Sequence, residues 1–299
     1  MNDALPEKIK KSIEQIKLDN TSGSVELAKK SAEILIDLIN QDISISQIEN
    51  ATHYLVNAQP NMASIFNLVN NLMFNIENSK NPKKTVSEYC KKYLKNLKSA
   101  DKKISEKVTK LIKKDAKIIT HSYSSTVLDA LIYTKKSGKR FSVICTESRP
   151  KNEGIIFAKK LGKNDINVKL VVDSAIFSLI PYSDLILFGG DSITDSGLIN
   201  KIGTKGIAMT AKHYNTLTYA LCSSIKFLPK NHSVTLDNLK DPKEITNKKL
   251  QNVTPVNYYF DYTPIEYITG VITEKEILKP DDVKRVIKNL NIHKSLRSK

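Results

Sequence analysis

From residue 115 onward, short apolar runs alternate with single helical stretches, and few folds accept that rhythm. Residues 116–120, 141–145, 168–172, 185–188 and 217–221 each have the length and the β-branched content of a buried strand. Residues 124–136, 152–162, 175–180 and 207–214 fill the gaps with helical spacing. One helix between successive strands means right-handed crossovers, so the strands are expected to run parallel in one doubly wound sheet. Residues 267–273 read as a last strand, and 283–290 as a final helix capped by Lys279-Pro-Asp-Asp282. In such a sheet every strand opens its carboxyl end on the same side, where ligands bind.

The first 114 residues carry a different pattern. Residues 5–18, 25–39, 48–58, 62–76 and 86–113 each show an apolar stripe at three- and four-residue steps, which predicts a helical bundle. Ser24 is the expected N-cap of the second helix, with Glu26 in its first turn. The chain is therefore read as a helical domain over 1–114 and a sheet domain over 115–299. Residues 229–257 are rich in Lys, Asn and Asp and read as a mobile surface excursion. The tail from His293 reads as a frayed basic end.

A formal charge of +16 invites a nucleic-acid reading. Its make-up argues against specific nucleic-acid recognition, because only Arg140, Arg149, Arg285 and Arg297 stand among the 47 basic residues. Guanidinium forks do most of the phosphate clamping and stacking on such surfaces. A lysine-rich, salt-sensitive RNA association stays open as an alternative. Three cysteines without motif spacing suggest neither zinc nor a disulfide framework. With no signal peptide and no long apolar span, no membrane role is expected, and a reducing cytoplasm is. No metal and no cofactor is implied.

The strand tips supply the candidate site. The first ends in Thr120-His121-Ser122-Tyr123-Ser124 and the second in Thr146-Glu147-Ser148-Arg149-Pro150, followed by Asn152-Glu153-Gly154. The third ends in Asp173-Ser174 and the fourth in Gly189-Gly190-Asp191. Asn200-Lys201 lies between glycine turns, and Ser223, Ser224 and Lys226 follow the fifth. Each has a purely structural use. His121 could bond a carbonyl, Ser122 or Ser124 could cap the next helix, Glu147 could pair with Arg149, and Asp173 could cap a turn. Asp191 is the hardest to assign to structure, since an acid directly after Gly-Gly at a strand tip is poorly used as a turn residue alone.

These residues also carry a resemblance. Ile119-Thr-His-Ser-Tyr-Ser124, Thr146-Glu-Ser-Arg-Pro-Lys-Asn-Glu-Gly154, Val171-Val-Asp-Ser174, Gly189-Gly-Asp191 and Ile199-Asn-Lys-Ile-Gly-Thr204 resemble, in order, motifs of the initiation factor 2B alpha/beta/delta family. The segment Val256 to Val271, around Asp261-Tyr-Thr-Pro264, is similar to the end of the alpha subunit, and Gln59-Pro-Asn-Met-Ala-Ser64 to a helical-domain motif. The resemblance implies an α/β protein with an N-terminal helical domain, then a Rossmann-like doubly wound parallel sheet that also pairs subunits. The family includes isomerases of methylthioribose 1-phosphate and ribose 1,5-bisphosphate beside regulatory subunits.

Carried over by position, the resemblance makes Asp191 and Ser122 the candidate catalytic pair. The strand-tip reading makes His121, Glu147, Arg149, Asp173, Asn200, Lys201 and Lys226 the ligand-binding set. In the isomerases a cysteine follows Thr-His, where this chain has Ser122. A thiol of pKa ~8.5 can be tuned to carry protons, and a hydroxyl is far less acidic. The bisphosphate isomerases also carry arginines where this chain has the Thr21-Ser-Gly-Ser24 stretch and Gln59. The expectation is a regulatory subunit in translation initiation that binds a sugar phosphate or nucleoside monophosphate. It would pair with itself as a dimer or larger homo-oligomer and contact initiation factor 2. The alternative is a sugar-phosphate aldose–ketose isomerase using Asp191 with Ser122 or Cys145.

Overall fold

A computed structural model describes residues 4–297 except 20, 21, 42, 231, 233, 235, 237 and 238. Among these, five α-helices come first. Pro6 precedes α1 (Glu7–Leu18), which buries Ile9, Ile13 and Ile16 as one stripe. α2 (Ser24–Ile39) starts one residue earlier than its sequence suggests, because Gly23 takes the N-cap and Ser24 is the first helical residue. A capping box opens α3 (Ile45–Ala58): the Ser44 hydroxyl accepts from the Gln47 amide, and the Gln47 side chain accepts from the Ser44 amide. α4 (Ala63–Glu77) is buried on most of its faces. Asn81 caps α5 (Pro82–Leu111), with Pro82 at the first position where a missing N–H costs nothing.

Leu27, Leu35, Leu55, Leu68 and Tyr93 belong to one apolar core shared by α1 to α4 and the first half of α5. The end of α5 works elsewhere: Ile104, Val108 and the adjoining Ile112 pack on the sheet. A single rod of thirty residues therefore belongs to both cores.

The sheet region runs β1 (Ala116–Thr120), α6 (Ser125–Lys136), β2 (Phe141–Thr146), α7 (Glu153–Gly162), β3 (Asn167–Val171), β4 (Leu185–Phe188), β5 (Ser192–Ile193), β6 (Gly197–Lys201), α8 (Thr204–His213), β7 (Leu217–Leu221), β8 (Phe260–Pro264), β9 (Gly270–Ile272), β10 (Ile277–Leu278) and α9 (Pro280–Lys288). Seven strands form the main sheet in the order β10-β9-β7-β4-β1-β2-β3. All neighbours are parallel except β9 and β10. Taken in chain order, the six parallel strands follow 3-2-1-4-5-6, whose direction reverses between β1 and β4. Side chains alternate between the two faces. Ile118, Val143, Leu185 and Leu187 meet α5, α6 and α7, while Ile119, Ile144, Ile186 and Phe188 meet α8 and α9. The α/β architecture with leading helices and a mostly parallel, doubly wound sheet is the one expected.

Several local expectations change. Asn200 and Lys201, read as lying between glycine turns, are in β6, the middle strand of a small antiparallel sheet β5-β6-β8 that was not foreseen. Two-residue β5 and a polar-ended β6 are too short and mixed for periodicity to reveal. Residues 175–180 form 3-10 turns, Asp173–Ser178 and Ile180–Tyr182. Tyr267 lies in another, Ile265–Tyr267, ahead of the short β9, and β10 was not foreseen. The tail is held down: buried His293 donates its backbone N–H to Asn70 and places Nε2 3.1 Å from Glu77. The described part of the 229–257 excursion is also bound, as detailed below.

Candidate functional site

The crevice forms where β1 and β4 part, and glycines make it possible. A Cβ on Gly189 would lie 2.6 Å from Cβ of Ser124, so only glycine lets the β4 tip pass the start of α6. Gly203 adopts φ 103° at the start of α8, and a Cβ there would sit 3.1 Å from the His121 ring. Two adjoining cavities, of about 170 Å³ and about 40 Å³, share Ser122 and Asp191. The α1–α2 turn roofs the larger one through Asp19, Ser22 and Gly23, with Gln59 from the end of α3 and Met62 before α4. A wider open groove of about 930 Å³ runs along α4 and α5. It holds Ser223 and Ser224 but no other strand-tip candidate, so the chemistry is concentrated in the crevice.

His121 is buried and fully engaged. Its Nε2 lies 2.7 Å from the Ile202 carbonyl, which can only accept, so Nε2 carries the proton. Its Nδ1, 2.6 Å from the Thr146 hydroxyl, then accepts. Burial lowers its pKa, which keeps the ring neutral. Thr146 meets Ser148 Oγ at 2.9 Å, and Ser148 Oγ accepts the Ser122 amide at 2.9 Å. This relay holds the β1 and β2 tips together. Ser122 itself sits at φ 68° and Ser148 at φ 64°, conformations that cost energy away from glycine.

Ser122 Oγ donates to Glu153 Oε1 at 2.9 Å, and the same oxygen pairs with Lys201 Nζ at 2.7 Å. Lys201 is buried and lies 5.1 Å from the Tyr259 ring centre. Asn200 is buried beside it and donates to the Thr204 hydroxyl at 3.0 Å. Across the crevice, Asp191 is pinned by its amide to the Ile199 carbonyl. Burial raises its carboxyl pKa, while Lys226, the nearby Ser24 hydroxyl and Lys201 pull the other way. Among the described residues Ser24 Oγ is buried without a hydrogen bond of good geometry. Buried Lys226 donates to the Gly190 carbonyl.

His121, Ser122, Asp191, Asn200, Lys201 and Lys226 thus converge; the other three candidates do not. Both carboxylate oxygens of Asp173 are used on the Ser148 and Arg149 amides at 2.8 Å, clamping the β2–α7 turn. Arg149 is exposed and reaches the Glu244 and Ile245 carbonyls at 3.2 Å. Glu147 contributes backbone bonds to Val171 and Gly154, and no ion pair with Arg149 occurs among the described residues. Cys145 is buried behind the β2 tip, its thiol pushed up to about 12, and lines neither cavity. Of the Thr21-Ser-Gly-Ser24 stretch, Thr21 lies outside the described residues. Gln59 uses its amide on the Ile16 and Asp19 carbonyls at 2.9 and 3.1 Å.

Several lining residues lie where sequence reasoning assigned no role. Glu153, within the Asn152-Glu153-Gly154 run, joins the β1 tip to β6 through Ser122 and Lys201. Tyr259 comes from just past the end of the segment read as a surface excursion, and Lys240 from within it. There Glu244 acts as a clasp: it pairs with Lys151 at 2.6 Å and accepts from Asn257 and from the Tyr259 hydroxyl. The aromatic run before Asp261 was the available signal. Asp261 itself accepts from the Gly203 and Lys205 amides at 2.8 and 3.1 Å, capping α8, with its carboxyl pushed up to about 6 by burial. Among the described residues no cluster of His, Cys, Asp and Glu could hold a metal ion, and no helix is long and apolar enough to cross a membrane.

Comparison with known proteins adds an independent line. Residues 13–280 match the initiation factor 2 subunit family. The chain is 32% identical over 281 residues to a Pyrococcus furiosus protein named as eIF-2B subunit 2-like, covering 92% of this chain and 98% of that one. It is 30% identical over 284 residues to the ribose 1,5-bisphosphate isomerase of Archaeoglobus fulgidus, covering 92% and 91%. The crystal structure of Pyrococcus horikoshii translation initiation factor eIF-2B superposes with a TM-score of 0.81 at 30% identity, covering 92% and 98%.

Proposed function

The chain belongs to the initiation factor 2 subunit family, and on that premise we propose that it is a regulatory subunit of initiation factor 2B type that binds a sugar phosphate or nucleoside monophosphate in the β1–β4 crevice. One observation carries the reading: the Ser122 hydroxyl is already committed to Glu153, which is itself paired with Lys201. A hydroxyl that donates to an engaged carboxylate is a poor partner for proton traffic with Asp191. The groups suited to holding a phosphate, Lys226 and Asn200, are buried and aimed into the smaller cavity. Asp191 then serves as an acceptor for a ligand hydroxyl. Self-association through the sheet region and contact with initiation factor 2 belong to the same proposal.

A thermal-shift screen of sugar phosphates and nucleoside monophosphates tests it, because any ligand of the folded state raises the melting temperature whether or not it is turned over. A stabilising phosphate ligand, lost in Lys226→Met, is the expected result; no stabilisation at millimolar ligand would refute it.

One observation favours a second reading, an aldose–ketose isomerase. The Asp191 carboxyl is raised by burial, as a proton-transferring acid requires, and an isomerase is among the relatives at 30% identity. That reading predicts turnover that disappears in Asp191→Asn while binding survives.

A further inference from the structure

Glu153 begins α7, lines the larger cavity and stands between Ser122 of the β1 tip and Lys201 of β6. Its Oε1 is shared by Ser122 and Lys201, whereas Oε2 is buried with no hydrogen-bond partner among the described residues. An unpaired buried carboxylate oxygen is costly, and a donor group on a ligand relieves it.

The lysines nearby point the same way. Lys201 is neutralised by Glu153, and Lys151 by Glu244. Among the described residues, Lys226 and Lys240 line the crevice without a carboxylate within 4.0 Å. Lys226 is buried, and Lys240 lies 5.3 Å from the Tyr259 ring centre. The cationic capacity left over suits one phosphate. A second phosphate directed at Lys201 would have to break its pair with Glu153 and approach the free oxygen, like charge against like.

Resting on the reading of the crevice as a sugar-phosphate site, we infer that Glu153 is its specificity-determining residue: it reserves Lys201, accepts a ligand hydroxyl on Oε2 and turns away a second phosphate. The ligand class is a sugar or nucleoside carrying one phosphate.

Calorimetric titration of the wild-type chain and of Glu153→Gln with ribose 5-phosphate and ribose 1,5-bisphosphate tests this. Wild type should prefer the monophosphate, and Glu153→Gln should shift the ratio of affinities toward the bisphosphate by about tenfold or more, the scale of one charged hydrogen bond. A ratio unchanged in Glu153→Gln overturns the role of Glu153 while leaving the crevice a phosphate site. A wild type that prefers the bisphosphate overturns it too, and does so whether or not the variant folds. Binding of neither compound to the wild type removes ribose phosphates as ligands and this role of Glu153 with them, and the thermal-shift screen with nucleoside monophosphates then decides the underlying reading.

Discussion

The two sides of the crevice are built from the same kinds of residue and are prepared for different work. On the β4 side Asp191 stands behind two glycines, its carboxyl raised by burial, with Lys226 held on the neighbouring carbonyl. On the β1 side the Ser122 hydroxyl, the Glu153 carboxylate and the Lys201 ammonium are already joined to one another. Among the described residues the first side holds no ion pair, whereas the second joins its groups to one another. A perturbed carboxyl alone therefore does not make a catalyst: proton transfer between adjacent carbons also needs a partner with a free, tunable proton.

The sharpest way to break the contrast is to remove the packing that separates the sides. Gly189→Ala places a Cβ 2.6 Å from Ser124 and is expected to cost about 2–3 kcal/mol, as overpacking of a rigid site does. Urea denaturation measures it, and a loss below about 0.5 kcal/mol would mean that the two tips are not in fixed contact. Next comes Lys226→Met, which leaves the Gly190 carbonyl unpaired. It should weaken sugar-phosphate binding by at least tenfold, on the scale of a charged hydrogen bond. Calorimetry decides, and unchanged affinity would move the phosphate to the other side.

Behind Lys226, Asp101 of α5 is pushed up to about 6 by burial and by Asp129, with Thr126 and Lys226 opposing. A carboxyl whose folded pKa exceeds its unfolded value of 3.8 binds its proton more tightly when folded. Its contribution is present below that value and is lost as pH rises through about 6. Asp101→Asn should flatten this slope and gain about 1 kcal/mol at neutral pH, discounted for partial exposure. Melting curves across that range would show it. Smallest is Ser122→Ala, which removes one hydrogen bond to Glu153 and should cost about 0.5–1 kcal/mol. A larger loss of ligand affinity than of stability would show that Ser122 touches the ligand.

Much of this was legible in the sequence. The alternation of strands and helices led to the sheet, and parallel strands led to the tips, so Ser122, Asp191 and Lys226 could be placed in one crevice before any coordinates. What stayed hidden depended on the third dimension. Arg149 and Asp173 sit in strand-tip motifs, but one holds a neighbouring loop and the other closes a turn. Glu153 follows α7's cap like an ordinary first-turn acid, and only the return of β6 beside it gives it Lys201. Lys240 comes from a polar stretch with no period, and the Glu244 clasp that ties this stretch to Tyr259 and Lys151 has no local signal.

The central claim is that the crevice binds a sugar phosphate without converting it. Phosphorus-31 NMR of ribose 5-phosphate and ribose 1,5-bisphosphate, each incubated with the purified chain, tests it most directly. The account predicts broadening and a shift of the monophosphate resonance, reversed in Lys226→Met, with no new signal over hours. A ketose phosphate resonance that grows with time and vanishes in Asp191→Asn would contradict it.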